Sequence, residues 1–436
     1  MDLEKYALEK LSKIASHTVV KKINSTSKQV KFVNNKISHI TIWHTEDIHL
    51  LASFNKRIVG TDLHELNEAG VDDAIKKLAA ISKNIPQNPD FLDIAKGPFK
   101  YKKVDCYDEK IENCDEEIVS YTSAGIDEAI NHGAKKCSGI LDFGTAKIRV
   151  LTSNNVDAEY KTTNAYYSIR AQYDKEASGH MVSCSTDLKN LDYLESSREA
   201  ARIALLSKNP QNIESGKYDI LFSPLSFANM IDHYGMASSI FSVESGLSCL
   251  EGKEGQKIGS DEFTLYDSGD IEKGLATSPF DDEGHPTEKT TIIEEGVLKN
   301  YLHNTSTGLR YNKKSTGNAG IIEPRPTNLI VKNGKRTAES ILNELDGIWI
   351  TNVWYTRFQN YRKGDFSTIP RDGCFLVKDR KIIPLKGLRL NANLLDIAKN
   401  LDQVTKETKQ IHGWEVSTPV FTGHGLVKDL NITTTY

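Results

Sequence analysis

The sequence predicts an α+β protein: N-terminal α/β units with mixed sheets, followed by a β-rich, barrel-like C-terminal domain. Two observations predict it. Before Lys217 the chain runs twice through one order: helix, strands broken by an Asn-Asn turn, helix. After Ile240 short β-rich runs and hairpin turns dominate, which favours a closed or nearly closed antiparallel sheet. A chain of 436 residues has room for two or three domains. Their boundaries are placed at 1–100, 101–216 and 217–436.

Periodicity and turn chemistry place the elements in order. Leu3, Tyr6, Ala7, Leu11 and Ile14 recur at helical spacing, so residues 2–15 read as an amphipathic helix. Strands at 29–33 and 37–43 flank Asn34-Asn35, and strands at 49–54 and 57–60 flank Asn55-Lys56. A helix over 71–83 ends in a segment broken by Pro86 and Pro89. The second pass gives a helix over 115–132, acidic at its start as the helix dipole favours. Strands at 136–143, 147–153, 158–162, 165–173 and 179–184 follow, then a helix over 188–206. A short buried strand, 218–222, leads into a helix from Pro224 to about Ile240, with Ser223 as its cap. Beyond it strands are expected at 262–266, 290–294, 297–301, 328–331, 347–353, 374–377, 381–384 and 426–432. Glu295-Gly296 forms a hairpin turn, and helices interrupt at 337–344 and 394–401.

Composition narrows the function classes. Hydrophobic residues are 38% and charged residues 26%, an ordinary globular balance. The net charge of -4 argues against broad electrostatic binding of nucleic acid. Six cysteines are scattered without a CxxC pair, so they read as buried or free thiols. The N-terminal residues lack the continuous apolar core of a secretory signal. No apolar run approaches the roughly 20 residues that span a bilayer. A cytoplasmic protein with no membrane partner is expected.

The most informative stretch runs from Gly274 to Gly320. It contains Gly274-Leu275-Ala276-Thr277-Ser278-Pro279-Phe280-Asp281-Asp282-Glu283-Gly284, then Ile293 to Leu302 with Gly296-Val297-Leu298 at its centre, then Ser315-Thr316-Gly317-Asn318-Ala319-Gly320. In this order these segments resemble the third domain of the TldD/PmbA family. Gly364-Asp365-Phe366-Ser367 matches a further element of that domain. The resemblance covers most of the chain and is strongest from about Lys217 onward. It implies a metallopeptidase family that acts on small or unfolded peptides.

In the catalytic branch of that family, a helix carries His-Glu-x-x-x-His. Its two histidines and a later cysteine hold zinc, and its glutamate activates water. The chemistry requires about three protein ligands, an open position and a nearby carboxylate. Here the helix reads Phe227-Ala228-Asn229-Met230-Ile231-Asp232-His233-Tyr234. One histidine is present, while the first histidine and the glutamate are absent. Glu415-Val416-Ser417-Thr418-Pro419 lacks the cysteine. The chain therefore resembles the TldE/PmbA-like branch that accompanies the catalytic one. No catalytic residue and no metal site are expected in it, and zinc is expected on a TldD-like partner. His233 is the one candidate ligand, and a lone histidine without a carboxylate partner more often serves structure.

Three further segments bear on function. The small-residue loop at Ser315, Thr316, Gly317, Asn318 and Gly320, with Ile350 on the strand 347–353, is a candidate wall for an extended peptide substrate. The run from Trp354 to Arg362 mixes four aromatics with two arginines. Subunit or peptide contact suits it better than nucleic-acid stacking, with Trp354, Tyr355, Arg357 and Phe358 as interface candidates. Strand alternation puts Trp354, Thr356 and Phe358 on one face and Tyr355, Arg357 and Gln359 on the other. Asp281-Asp282-Glu283 could be a cation or acid–base cluster, but such runs are most often solvated turns and it is read as one.

The expected function is the non-zinc subunit of a TldD/TldE-type protease complex. A homodimer is possible when the chain is alone. Two alternatives stand beside it: a peptide-binding or regulatory protein of the DNA-gyrase-modulator type, and a self-sufficient hydrolase with a rearranged metal site.

Overall fold

The computed structural model describes residues 2–434. Its first sheet is built by both N-terminal passes together. The first pass supplies α1 (Leu3–Leu11), β1 (His17–Val33), β2 (Lys36–Phe54), β3 (Arg57–Asp62) and α2 (Glu68–Ser82). The second supplies α3 (Glu109–Glu112), α4 (Glu117–Asn131), β4 (Lys136–Thr152), β5 (Val156–Gln172), β6 (Ser178–Ser185) and α5 (Tyr193–Leu206). The strand order is β3-β2-β1-β4-β5-β6, so the two passes meet at their first strands. Every pairing in this sheet is antiparallel. The parallel pairs of the molecule lie in its C-terminal half.

Local chemistry sets the turns. Asn34-Asn35, Asn55-Lys56 and Glu295-Gly296 have positive φ at both positions, as type I′ hairpins require, and Asn155 is left-handed at the end of the three-residue β4–β5 loop. The strands are longer than periodicity predicts. Residues 17–28 carry many polar side chains that are half exposed, so they show no alternation to read.

The C-terminal half begins with β7 (Gly216–Phe222), α6 (Pro224–Ser238) and α7 (Ile240–Glu244). It continues with β8 (Leu265–Ser268), β9 (Lys289–Glu294), β10 (Val297–Leu298), α8 (Thr305–Arg310), β11 (Leu329–Val331) and α9 (Ala338–Glu344). Then come β12 (Gly347–Asn360), β13 (Asp365–Lys378), β14 (Lys381–Pro384), β15 (Leu388–Asn393), α10 (Leu394–Asn400) and β16 (Leu401–Val404). The chain finishes with β17 (Lys409–Gly413), β18 (Val416–Thr422) and β19 (Gly425–Thr434). Strands β12, β7, β19, β15 and β13 close on themselves, because β12 also pairs with β13. This is the expected barrel, with five strands. A second sheet, β10-β9-β8-β11-β18-β17, lies beside it.

Helix α6 is the spine of this half. Pro224 fits its first turn, and every residue except His233 and Met236 is buried. A helix apolar on nearly all sides belongs to a core. Ser223 does not cap it through its side chain, contrary to expectation. Its hydroxyl instead accepts from the Trp349 indole at 2.8 Å.

One cluster ties the halves together: Phe32 and Tyr167 of the first sheet share a core with Trp349, Phe375 and Leu426 of the barrel. A second tie is polar and corrects the sequence reading. Asp281, Asp282 and Glu283 are 7, 9 and 6% exposed, so they are no solvated turn. Asp281 accepts from the amides of Glu283, His285 and Ala319. Asp282 bonds Lys21 of β1 at 2.5 Å and Arg325 at 3.2 Å. Glu283 accepts from the Ala95 and Thr305 amides. Lys21, Ala95, Thr305, Ala319 and Arg325 are distant in sequence, which hides the burial of an acidic run from local inspection.

All six cysteines are free and buried. No helix among the described residues is long and apolar enough to cross a membrane.

Candidate functional site: a groove beside an occupied helix

Sheet register explains where the groove lies. The row Val30, Leu141 and Tyr167 is fully buried under the helices. The neighbouring rows, Lys31–Ile140–Ser168 and Gln29–Asp142–Tyr166, point the other way. They floor a cavity of about 760 Å³ whose far wall is Leu275, Ala276, His412, Gly413, Trp414, Ser417 and Pro419. Asp142 is held by Ser27 at 2.9 Å and Gln29 at 3.0 Å. Trp414, at the tip of the β17–β18 hairpin, is 83% exposed. The groove thus offers a polar floor and an aromatic lip. Local motifs give no signal for these residues, because strand pairing and domain contact assemble them.

Helix α6 passes behind this wall. Relative to His233, the positions of the first histidine and the glutamate of the metal motif are Ala228 and Asn229. Ala228 is in the core. The Asn229 amide donates to the Glu415 carbonyl at 2.5 Å, and its oxygen accepts from Thr356 at 2.7 Å. Asp232 accepts from the Ser417 amide at 2.8 Å, the Ser417 hydroxyl at 2.9 Å and the Thr418 amide at 3.2 Å. The carboxylate is therefore spent on fixing the strand that borders the groove. His233 packs edge-on against Phe358 at 4.8 Å, and its buried Nε2 has no hydrogen-bond partner. Burial lowers its pKa, with Asp232 and Glu415 opposing. The donor set does not fit a zinc ion. Among the described residues no three of His, Cys, Asp and Glu stand together as a metal set.

A serine–histidine pair also borders the groove. His180 Nε2 lies 3.0 Å from the Ser168 hydroxyl, and Nδ1 lies 3.0 Å from the Asn352 amide nitrogen. The Val353 amide donates to the Asn352 oxygen, and the Asn352 nitrogen reaches Asp372, which fixes the amide's orientation. Nδ1 therefore accepts, the proton sits on Nε2, and the imidazole donates to Ser168. That tautomer cannot take the serine proton, so the pair is no activated nucleophile. Burial holds His180 neutral, its pKa lowered to about 4.

The loop Ser315–Gly320 does not line this groove. Ser315, Gly317, Asn318 and Gly320 are buried and Thr316 is half-buried. Asn318 donates to Asp267 at 2.6 Å, and a side chain at Gly317 would meet the Pro286 carbonyl. Glycine there lets the loop back onto the acidic turn at φ 69°. Gly320 borders a cavity at Asp282 and Glu283. Ile350 is fully buried, and its strand is paired on both edges, to β7 and β13. Both edges of residues 348–350 are used, so no peptide can add there by backbone pairing.

The segment from Trp354 lies beside the β17–β18 hairpin, where Trp354 shares a small cleft with Gly413, Trp414 and Glu415. Thr356 is buried, Phe358 is half-buried, and Tyr355, Arg357 and Gln359 are exposed. Tyr355 sits in a bulge at φ 59°, where Glu415 accepts from the amides of Tyr355 and Thr356. Trp354 is half-buried beneath Arg170, 4.8 Å from its ring. Phe358 stacks on the exposed Tyr361 at 4.7 Å.

This fold, a closed five-stranded barrel beside an antiparallel half-barrel sheet, is shared with solved structures. TldE from Thermococcus kodakarensis superposes with a TM-score of 0.88 at 20% identity, over 99% of this chain and 100% of that one. Residues 215–434 match the PmbA/TldA metallopeptidase C-terminal domain. An uncharacterized protein of Methanocaldococcus jannaschii is 32% identical over 311 residues, 69% of this chain and 73% of that one. A metalloprotease of the same organism is 30% identical over 251 residues, 55% of each chain. The chain belongs to the PmbA/TldD family.

Proposed function

We propose that this chain is the non-zinc, TldE/PmbA-like subunit of a TldD/TldE-type metalloprotease complex acting on small or unfolded peptides. One observation carries the reading. The helix positions that would hold zinc and its general base are Ala228 in the core and Asn229 in a structural network. The reacting zinc and its base then belong to a TldD-like catalytic subunit, in the cytoplasm. This chain contributes the groove of Ser168, Asp142, His412 and Trp414 as its half of the peptide chamber. Trp414 supplies a sequence-tolerant apolar contact, and the polar floor supplies hydrogen-bond partners for a peptide backbone.

The exposed row of Tyr355 and Arg357 is the surface offered to the catalytic subunit, since aromatic and arginine anchors dominate association. Tyr355→Ala and Arg357→Ala are each expected to weaken binding to a His-Glu-x-x-x-His relative by about 2 kcal/mol, roughly thirty-fold. Neither should move the thermal midpoint of the isolated chain. Calorimetric titration checks this; unchanged affinity in both variants would remove this face from the interface.

A further inference from the structure

A second cavity, of about 530 Å³, lies where the first sheet meets the C-terminal half. Val19, Leu51 and Gly60 of strands β1 to β3 line one side. Phe241 of α7, the acidic turn and Ile322 line the other. The cavity shares no lining residue with the groove of Trp414. Small-ligand sites concentrate at such junctions and in this range of volume.

The charges around it are matched, with one exception. Asp62 bonds His49 at 2.5 Å, Glu244 bonds Arg310, and Asp90 lies 3.8 Å from the same arginine. Asp282 is held by Lys21 and Arg325. Glu283 is 6% exposed, yet among the described residues no cation stands within ion-pairing distance of it. Its Oε2 accepts from the backbone amides of Ala95 and Thr305 at 3.2 and 3.4 Å. Burying a carboxylate without a counter-charge is costly, so this position asks for one positive charge.

The surroundings narrow the kind of cation. A metal ion needs several converging ligands, and among the described residues no three of His, Cys, Asp and Glu stand together as a metal set. A guanidinium fork needs both carboxylate oxygens, and Oε2 is already engaged. An ammonium is a compact point charge that one oxygen can serve. Phe91, Ile94 and Leu51 give the cavity apolar walls, and the rings of Phe91 and Phe241 suit a cation as well as a hydrocarbon. Phe241 and Ile322 are 41 and 80% exposed, which puts an apolar rim at the opening. We propose that this cavity binds a primary ammonium carried on a small apolar body, with Glu283 as its counter-ion. The amino terminus of a short peptide and a free alkylamine both carry that group. The proposal does not rest on the protease role.

Calorimetric titration of the full chain at about pH 7 tests it, where both kinds of amine are largely protonated. The probes are isopentylamine, leucyl-leucinamide, the N-acetylated form of that dipeptide, and 3-methylbutan-1-ol as the uncharged mimic of the amine. Binding at about millimolar or tighter is expected for isopentylamine, the dipeptide or both, and not for the acetylated peptide or the alcohol. Binding of the dipeptide alone identifies a peptide amino terminus as the ligand, and binding of isopentylamine alone identifies a free amine. Glu283→Gln should weaken binding about ten-fold or more, since it removes the charge and keeps the shape. Phe241→Ala should weaken it about three-fold or more, and its exposed ring makes it a second test that leaves the core intact. No binding of either amine at about 10 mM, equal binding of the acetylated peptide, or full affinity in the folded variants would each overturn the proposal.

Discussion

Asp282→Ala is expected to lower the unfolding free energy of the chain by about 3–5 kcal/mol, because it strands a buried ammonium. The Lys21 and Asp282 side chains are each 11% exposed and bond at 2.5 Å. Lys21 belongs to the first sheet and Asp282 to the acidic turn, so the pair clamps the two halves. Removing the carboxylate leaves Lys21 desolvated without a counter-charge. Arg325, whose side chain is 59% exposed, can swing into water, so Arg325→Ala should cost under about 1 kcal/mol. Replacing the pair together, Lys21→Met with Asp282→Leu, should recover most of the loss, since apolar packing substitutes well for a buried ion pair. Urea denaturation of the three variants separates these outcomes. Equal losses for Asp282→Ala and Arg325→Ala would show that the clamp is not Lys21–Asp282.

Glu283→Gln is expected to remove about 3 kcal/mol of the stability that the wild type loses as pH rises from 4.5 to about 7. Burial pushes the Glu283 carboxyl up from 4.5 to about 7. Between those values the folded chain holds a proton that the unfolded chain has released. Stability therefore falls as pH rises through this window, by about 3 kcal/mol for this group. Burial also pushes Asp281 up, with the Glu283 charge adding to it, and its contribution has the same sign. His180, His303 and His424 act oppositely. Burial holds them to about 4, so they cost stability only as pH falls below 6.5. Comparing wild type with Glu283→Gln across pH isolates the carboxyl from the histidines. Parallel curves would mean that Glu283 is already ionised and solvated in the folded chain.

What could be read from the sequence was what local chemistry decides. Asn34-Asn35, Asn55-Lys56 and Glu295-Gly296 are turns because their residue types tolerate positive φ, and each was legible in place. The alternation from Trp354 onward correctly separated the buried Thr356 from the exposed Tyr355, Arg357 and Gln359. The missing metal motif was legible because its spacing is local to one helix. What the sequence hid is set by distant contacts. The acidic turn reads as solvated until Lys21 and the amides of Ala95 and Ala319 are brought to it. The loop Ser315–Gly320 reads as an open wall until it is seen backed against Pro286. The groove was invisible for the same reason. Ser168, Asp142 and Trp414 belong to separate strands and a hairpin, and no spacing along the chain joins them. Strands β15 to β18 were missed because they are short, four to seven residues each.

The central claim is that this chain is a groove-bearing subunit whose reaction depends on a partner's metal. Reconstitution with a family relative carrying His-Glu-x-x-x-His tests it most directly, with cleavage of an unstructured peptide and zinc content read on the same samples. The account predicts no cleavage by this chain alone and no zinc bound to it. In the mixture it predicts cleavage with about one zinc per pair of chains, lost when the partner's glutamate is replaced. Peptide cleavage by this chain alone, with a stoichiometric zinc that disappears on replacing His233, would contradict it.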